Sequence, residues 1–325
     1  MSWQPTLSWE NAKERMKILQ SIRSFFISRD VIEVETPQLA RNTTTDVHLE
    51  AFTCNYKFLS DSCDEKLTPL YLQTSPEFAM KRLIAAGYGS IFQICKAFRH
   101  EEYGRFHNPE FTILEWYRLG FDHFELMDEV AELLIVTLQC EQPEKMTYQD
   151  AFLNFVSIDP LTASRDELIK IIKDNGKLSN WLEVESNVDT LLQYVFCEII
   201  EPCIGQKVPC FVYDFPSSQA SLAQLSEADP RVAYRFECYF KGVELVNGFN
   251  ELTDATQQLA RFNLDNERRK ENGLVEKPID RNFLAALNSG LPQCSGVALG
   301  IDRLLMLALG LEHIEQVMSF TVENG

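Results

Sequence analysis

No two of the nine cysteines stand in C-x-x-C spacing, and the five histidines form no HExxH or comparable ligand set. That excludes a zinc framework of the usual spacings. The odd, scattered set of Cys54, Cys63, Cys95, Cys140, Cys197, Cys203, Cys210, Cys238 and Cys294 reads instead as reduced thiols, the state expected in the cytoplasm. The opening residues Met1-Ser2-Trp3-Gln4-Pro5 lack the charged and apolar regions of a signal peptide. No run of about 18 apolar residues exists to span a bilayer. Repeats, low-complexity stretches and Gly/Ser/Pro-rich linkers are missing too. Positive charge is scarce, with 30 Lys and Arg against 48 Asp and Glu, a formal charge of −18. A field of that sign repels phosphate backbones at long range, so a nucleic-acid partner requires a local basic patch. The only dense basic run, Arg268-Arg269-Lys270, reads as a solvated helix face. A basic protein or a cationic small molecule fits the balance better.

What is present is ordinary for a globular protein: 325 residues, 45% hydrophobic and 24% charged. A chain of this length buries enough surface to form a core without staples. Residues 11 to 29 have the periodicity of an amphipathic helix, with Ile18, Leu19, Ile22, Phe25 and Phe26 on one face. A strand follows, Ile32, Val34 and Thr36 alternating with acids until Pro37, and another is expected over Leu70 to Thr74. Ser75-Pro76-Glu77 starts a helix and Gly87 stops it. Residues 90–99 and 111–118 read as an antiparallel strand pair joined by a polar loop. Asp122 with Glu125, and Ser164 with Glu167, are capping patterns for helices. Strands resume near Phe211 and from Tyr234 to about Leu252, and Gly296 to Gly300 runs directly into a helix. Strands that pair locally, with helices between blocks, imply an α+β fold with an antiparallel sheet flanked by helices. The whole chain, 1–325, reads as one catalytic domain carrying a mainly helical insertion at about 140–205.

Three segments can carry chemistry. In the first, period-two alternation puts Phe111, Ile113, Glu115 and Tyr117 on one strand face. A carboxylate and a phenol in line with large apolar groups suit a pocket wall. Arg99 and Glu101 share a face of the preceding strand, and the loop supplies His107, Asn108, Pro109 and Glu110. In the second, a two-residue turn at Lys241-Gly242 sets Tyr239 opposite Glu244, with Glu237 the diagonal neighbour on the same face. Two such carboxylates, with no cysteine or histidine, suit magnesium held together with phosphates. Asn247 and Glu251 have the opposite parity to Glu244 and join that face only if the strand bulges; Gly248 is the residue expected to allow it. Third is Gly296-Val297-Ala298-Leu299-Gly300-Ile301-Asp302-Arg303, whose small residues let a ligand approach closely.

Together these segments resemble the catalytic domain of class II aminoacyl-tRNA synthetases, most closely the lysyl enzymes. The helix and strand ending at Pro37 resemble motif 1, the dimer interface of that family. Phe98-Arg99-His100-Glu101 with His107-Asn108-Pro109-Glu110-Phe111 resembles motif 2, Gly300-Ile301-Asp302-Arg303 motif 3, and Asn247-Gly248-Phe249-Asn250-Glu251 the lysine-pocket segment. Two departures stand out: no N-terminal anticodon-binding barrel precedes motif 1, and Ala298 replaces the usual glycine. Both resemble a truncated branch of the lysyl family that joins (R)-β-lysine to a lysine side chain of the translation elongation factor P.

The resemblance implies an ATP-dependent, AMP-forming ligase and a cytoplasmic homodimer, with elongation factor P rather than transfer RNA as acceptor. It implies that Arg99 and Arg303 are catalytic, and that ATP meets Arg99, His100, Glu101, His107, Asn108, Phe111, Glu244, Leu245, Gly300 and Arg303. It assigns the lysine-like substrate to Ser75, Pro76, Glu77, Glu115, Tyr117, Asn247, Glu251 and Ala298, and Mg2+ to Glu237 and Glu244. Three alternatives stand beside this reading: a ligase acting on a tRNA acceptor stem, an asparagine-forming ligase of the same fold, and a non-catalytic regulatory relative.

Overall fold

The computed structural model of the chain describes residues 3–57 and 67–325; Met1, Ser2 and Cys63 lie outside the described residues. In chain order, helix α1 (Trp9–Ile27) precedes strands β1 (Ile32–Glu33), β2 (Leu39–Ala40), β3 (Thr53–Tyr56) and β4 (Thr68–Leu72). Helix α2 (Glu77–Ala85), strands β5 (Ile91–Phe98) and β6 (Glu110–Leu119), and helix α3 (His123–Leu138) follow. Next come β7 (Glu144–Thr147), α4 (Tyr148–Val156), α5 (Arg165–Asp174), α6 (Asn180–Val184) and α7 (Val188–Val195). The remainder is β8 (Cys210–Pro216), β9 (Val232–Phe240), β10 (Val243–Asn250), α8 (Ala255–Glu271), α9 (Arg281–Asn288), β11 (Cys294–Gly300) and α10 (Ile301–Ala308). Two compact units are distinguished: Met1–Gly120 with Leu252–Cys294 and Ala298–Gly325, and Phe121–Glu251 with Ser295–Val297.

In the first unit, Ser8 caps α1 by accepting from the Asn11 N–H at 3.1 Å, and the buried face of α1 is Ile22, Phe25 and Phe26. Phe26 stacks on Phe92 of β5, ring centroids 4.6 Å apart, and meets Trp116 of β6 edge-on at 5.2 Å. Strand order is β1-β5-β6, with β1 parallel and β6 antiparallel to β5. A second, antiparallel sheet runs β2-β4-β3. Asp302, in the first turn of α10, accepts from Arg15 Nη1 of α1 at 2.7 Å and from the Thr112 N–H of β6 at 2.6 Å. One buried carboxylate therefore fixes where α10 begins relative to β6.

In the second unit, β10, β9 and β8 are successive antiparallel neighbours and β7 pairs parallel with β8. Both expected capping boxes form, Asp122 with Glu125 on α3 and Ser164 with Glu167 on α5. Gly176, at φ +68°, ends α5 as its sequence position requires. Helices α4 to α7 bury Tyr148, Phe152, Leu168, Ile172, Leu191 and Val195 in one cluster with Val212 and Phe215 of β8.

The region 140–205 holds β7 beside its helices, and those helices are the crossover that a parallel β7–β8 pair demands. Four local expectations are corrected. The strands are accordingly mixed rather than all antiparallel. Strand β1 ends at Glu33, and α2 has Pro76 rather than Ser75 at its cap. Finally, Arg268-Arg269-Lys270 is not a solvated face throughout, because Arg269 is 1% exposed and donates to Glu50 and to the carbonyls of Asp46 and Val275. Lys277 shares Glu50, and the two cations outweigh burial to hold that carboxyl below its usual range.

Candidate active site

Strand β6 supplies the first wall. Its register with β5 sets Phe111 opposite Ala97, Ile113 opposite Cys95, Glu115 opposite Gln93 and Tyr117 opposite Ile91. Phe111, Glu115 and Tyr117 therefore share a face, as alternation predicts. Glu115 and Tyr117 are 3% and 2% exposed, and the Tyr117 hydroxyl donates to Glu115 Oε1 at 2.7 Å. A buried carboxylate held this way stays oriented for a cationic ligand. At the other end, the Arg99 guanidinium lies over the Phe111 ring, 5.1 Å from its centroid. Burial, with Glu115 nearby, pushes the Cys95 thiol up to about 12, so it remains protonated and is no nucleophile.

The loop between these strands is braced from two sides. Arg303 Nε donates to the Phe106 carbonyl at 3.2 Å and Nη2 meets His107 Nε2 at 2.7 Å. Partial desolvation and the Arg303 charge hold His107 below the ordinary histidine range, which makes the neutral ring the acceptor in that contact. Asn108 is buried and turned toward the chain's end, donating to the Glu110 carbonyl and accepting from the Val322 N–H at 3.0 Å. Its amide thus braces the loop rather than standing open to phosphates. His100 and Glu101 are exposed at the loop's start, the His100 ring edge-on to Phe52. On β11 the alternation leaves Ala298 and Gly300 as the two half-buried positions.

Glu77 opens α2 and is already paired: Lys81, one turn on and 1% exposed, donates to its Oε1 at 2.6 Å. Residue-by-residue reading overlooked Lys81, although the i,i+4 spacing is the signal that would have found it. Ser75 and Pro76 precede Glu77, with Ser75 Oγ 3.5 Å from the Glu77 N–H.

In the second unit the β9–β10 hairpin forms with the expected turn, Lys241 at φ +51° and Gly242 at φ +70°. Glu244 faces Tyr239 as predicted. A bulge is present, but the register shifts at Leu245, between Glu244 and Val246, and not at Gly248. Beyond it Asn247 stands directly opposite Glu237, which brings Glu244, Asn247 and Glu237 to one face. Gly248 is needed for another reason: a Cβ there would come within 2.7 Å of the Phe236 ring at Cε1. Glu251 is 1% exposed and bridges to Ala223.

The expected magnesium pair does not match this arrangement. Glu237 Oε1 accepts from Arg235 Nη2 at 2.5 Å and from Asn247 Nδ2 at 2.9 Å, and Oε2 accepts from the Tyr239 hydroxyl. Its charge is neutralised and its lone pairs are largely occupied. No group of three or more metal-ligating side chains occurs among the described residues.

A family profile described as tRNA synthetases class II (D, K and N) matches residues 6–324. The chain belongs to this family. Its motif 2 strands, motif 3 helix start and β9–β10 hairpin are the elements just described. An elongation factor P--(R)-beta-lysine ligase of Vibrio cholerae is 55% identical over 318 residues, covering 98% of this chain and 97% of the relative. Proteins of the same name from Pseudoalteromonas translucida and Proteus mirabilis are 54% and 53% identical, each aligned over 98% or more of this synthetase-family chain. Among the described residues no helix is long and apolar enough to cross a membrane.

Proposed function

We propose that this class II synthetase relative activates (R)-β-lysine with ATP and transfers it to a lysine side chain of elongation factor P. The observation that carries the reading is the face of β6. Phe111, with Arg99 over its ring, and the buried Glu115–Tyr117 pair lie four residues apart on one strand face. At about 3.3 Å per residue that is about 13 Å, room for a nucleotide at one end and a short diamino acid at the other. The names of the relatives supply the acceptor and the substrate isomer.

In the first step the substrate carboxylate attacks the α-phosphorus in line, giving the acyl-adenylate and releasing pyrophosphate. The carboxylate is ionised at neutral pH, so this step needs no general base and depends on positioning and charge neutralisation. Arg99, a planar fork of donors, bridges carboxylate and α-phosphate. Phe111 and Arg303 hold the adenine; His100, Glu101, Leu245 and Gly300 line its site; His107 reaches the phosphates. Glu115, Tyr117, Asn247 and Glu251 receive the terminal ammonium, and Ser75, Pro76, Glu77 and Ala298 surround the other amine. Mg2+ bound with ATP would be held by Glu244 and would offset the charge of the phosphates. In the second step the acceptor amine, having lost a proton, attacks the mixed anhydride; an amide forms and AMP leaves.

A lysine-bearing acceptor agrees with the net charge of −18. The buried state of Arg269 removes the middle of the one dense basic run that a tRNA reading relies on. We place the enzyme in the cytoplasm as a homodimer formed through α1 and β1. The test is ATP–pyrophosphate exchange with (R)-β-lysine, (S)-β-lysine and α-lysine, followed by mass spectrometry of elongation factor P incubated with enzyme, ATP and each amino acid. Exchange with (R)-β-lysine and one added residue on the factor is the expected result. Absence of exchange with every diamino acid sinks the reading and leaves the regulatory alternative.

A further inference from the structure

The network around Glu237 is built for holding a neighbour still. Its three donors come from one face of the β9–β10 hairpin: Arg235 and Tyr239 lie two residues either side on β9, and Asn247 stands opposite on β10. Arg235 is itself fixed, Nη1 donating to the Gln219 carbonyl at 2.6 Å and the guanidinium lying 4.7 Å from the Phe215 ring centroid. Tyr239 is 3% exposed and Glu237 6% exposed.

Arg235 Nε and Asn247 Oδ1 are left over, and of the two only the Asn247 oxygen is an acceptor. Nδ2 donates to Glu237 at 2.9 Å, while Oδ1 is buried and has no hydrogen-bond partner among the described residues. A primary amide has two ends of opposite character, and its orientation follows whichever partner is strict. The carboxylate of Glu237 only accepts, so it holds the NH2 end and turns Oδ1 away, toward whatever donor arrives. An orphaned buried acceptor is costly until such a donor, an ammonium for example, pairs with it.

We propose that Glu237 is a positioning residue that locks the Asn247 amide with its oxygen presented to the substrate ammonium, and that it is not a magnesium ligand. This rests on the reading of Asn247 as a contact to the diamino acid. A cation approaching Glu237 meets the Arg235 guanidinium already at 2.5 Å, and the three hydrogen bonds leave it a single Oε2 lone pair. Glutamine at position 237 has a donor as well as an acceptor, so the Asn247 amide is released to flip and present NH2, which repels an ammonium.

The experiment compares Glu237→Gln, Glu244→Gln and Tyr239→Phe with the parent. Kinetics by ATP–pyrophosphate exchange give KM for β-lysine and for ATP. Mn2+ titrations in the presence of ATP, followed by electron paramagnetic resonance, give metal affinity without turnover. For Glu237→Gln the expected result is a KM for β-lysine raised at least tenfold, with KM for ATP and Mn2+ affinity within twofold of the parent. Glu244→Gln is expected to weaken Mn2+ binding instead. A tenfold loss of Mn2+ affinity in Glu237→Gln, or a KM for β-lysine that does not move, overturns the proposal. If Glu237→Gln fails to fold, Tyr239→Phe decides: a KM for β-lysine raised about threefold with metal binding unaltered supports it, and an unchanged KM rejects it. A parent protein that shows no exchange refutes the proposed function, while the Mn2+ titrations still report whether residue 237 binds metal.

Discussion

Replacing Lys81 by methionine removes the cation that neutralises Glu77 while keeping a long apolar stem against the Phe283 ring, which the ammonium approaches to 5.8 Å. The pair is 2.6 Å long, with side-chain exposures of 1% for Lys81 and 16% for Glu77. At an effective dielectric of about 20, unit charges at that distance attract by about 6 kcal/mol, and the desolvation of both groups offsets a large part of it. Glu77 also sits in the first turn of α2, where the helix dipole contributes about 0.5 kcal/mol to an anion and persists in the variant. The net cost of Lys81→Met is therefore about 2–3 kcal/mol. For a chain of this size that corresponds to a Tm fall of about 5 °C, measured by circular dichroism. Glu77→Gln added to Lys81→Met is expected to recover at least half the loss, because no carboxylate is then left without its cation. Saturating β-lysine is expected to raise the Tm of Lys81→Met by more than that of the parent, its amine taking over the vacant charge. A Lys81→Met protein within 1 °C of the parent, or a double variant no better than the single one, would refute the reasoning.

Gly248→Ala is expected to destabilise by about 1–3 kcal/mol and to depress exchange, since its methyl meets the fully buried Phe236 ring and pushes the Asn247 strand outward; a urea midpoint equal to the parent's counts against it. Ala298→Gly is expected to shift preference from β-lysine toward α-lysine, and equal relative activation rates for the two proteins would remove the idea. His123 is 4% exposed, neither ring nitrogen has a hydrogen-bond partner among the described residues, and desolvation lowers its pKa to about 4. The unfolded chain, at about 6.5, therefore takes up the proton first as pH falls, so stability is complete above pH 6.5 and declines toward pH 4 by about 3 kcal/mol. His123→Phe keeps the stack on Tyr234, 4.7 Å between centroids, and is expected to flatten urea midpoints measured from pH 7 to pH 5; an identical decline in both proteins would assign the effect elsewhere.

Local chemistry was legible residue by residue. Alternation placed Phe111, Glu115 and Tyr117 on one face, the capping boxes at Asp122 and Ser164 formed, and Lys241-Gly242 made its turn, because each depends only on residues within a few positions. The ordered motifs pointed to the synthetase family for the same reason: they are short strings whose spacing is itself the signal.

Partners distant in the chain were not legible. The bulge at Leu245 rather than Gly248, Asn108 turned to Val322, Arg269 buried on Glu50 and Asn247 set on Glu237 all arise from packing. Composition sees a carboxylate at 237 and cannot see that an arginine has already neutralised it. Sequence by itself determined the alternation of Phe111, Glu115 and Tyr117 on β6 and the turn at Lys241-Gly242; tertiary structure alone decided which side chains are already paired, because a charge's availability depends on what lies within about 3 Å of it.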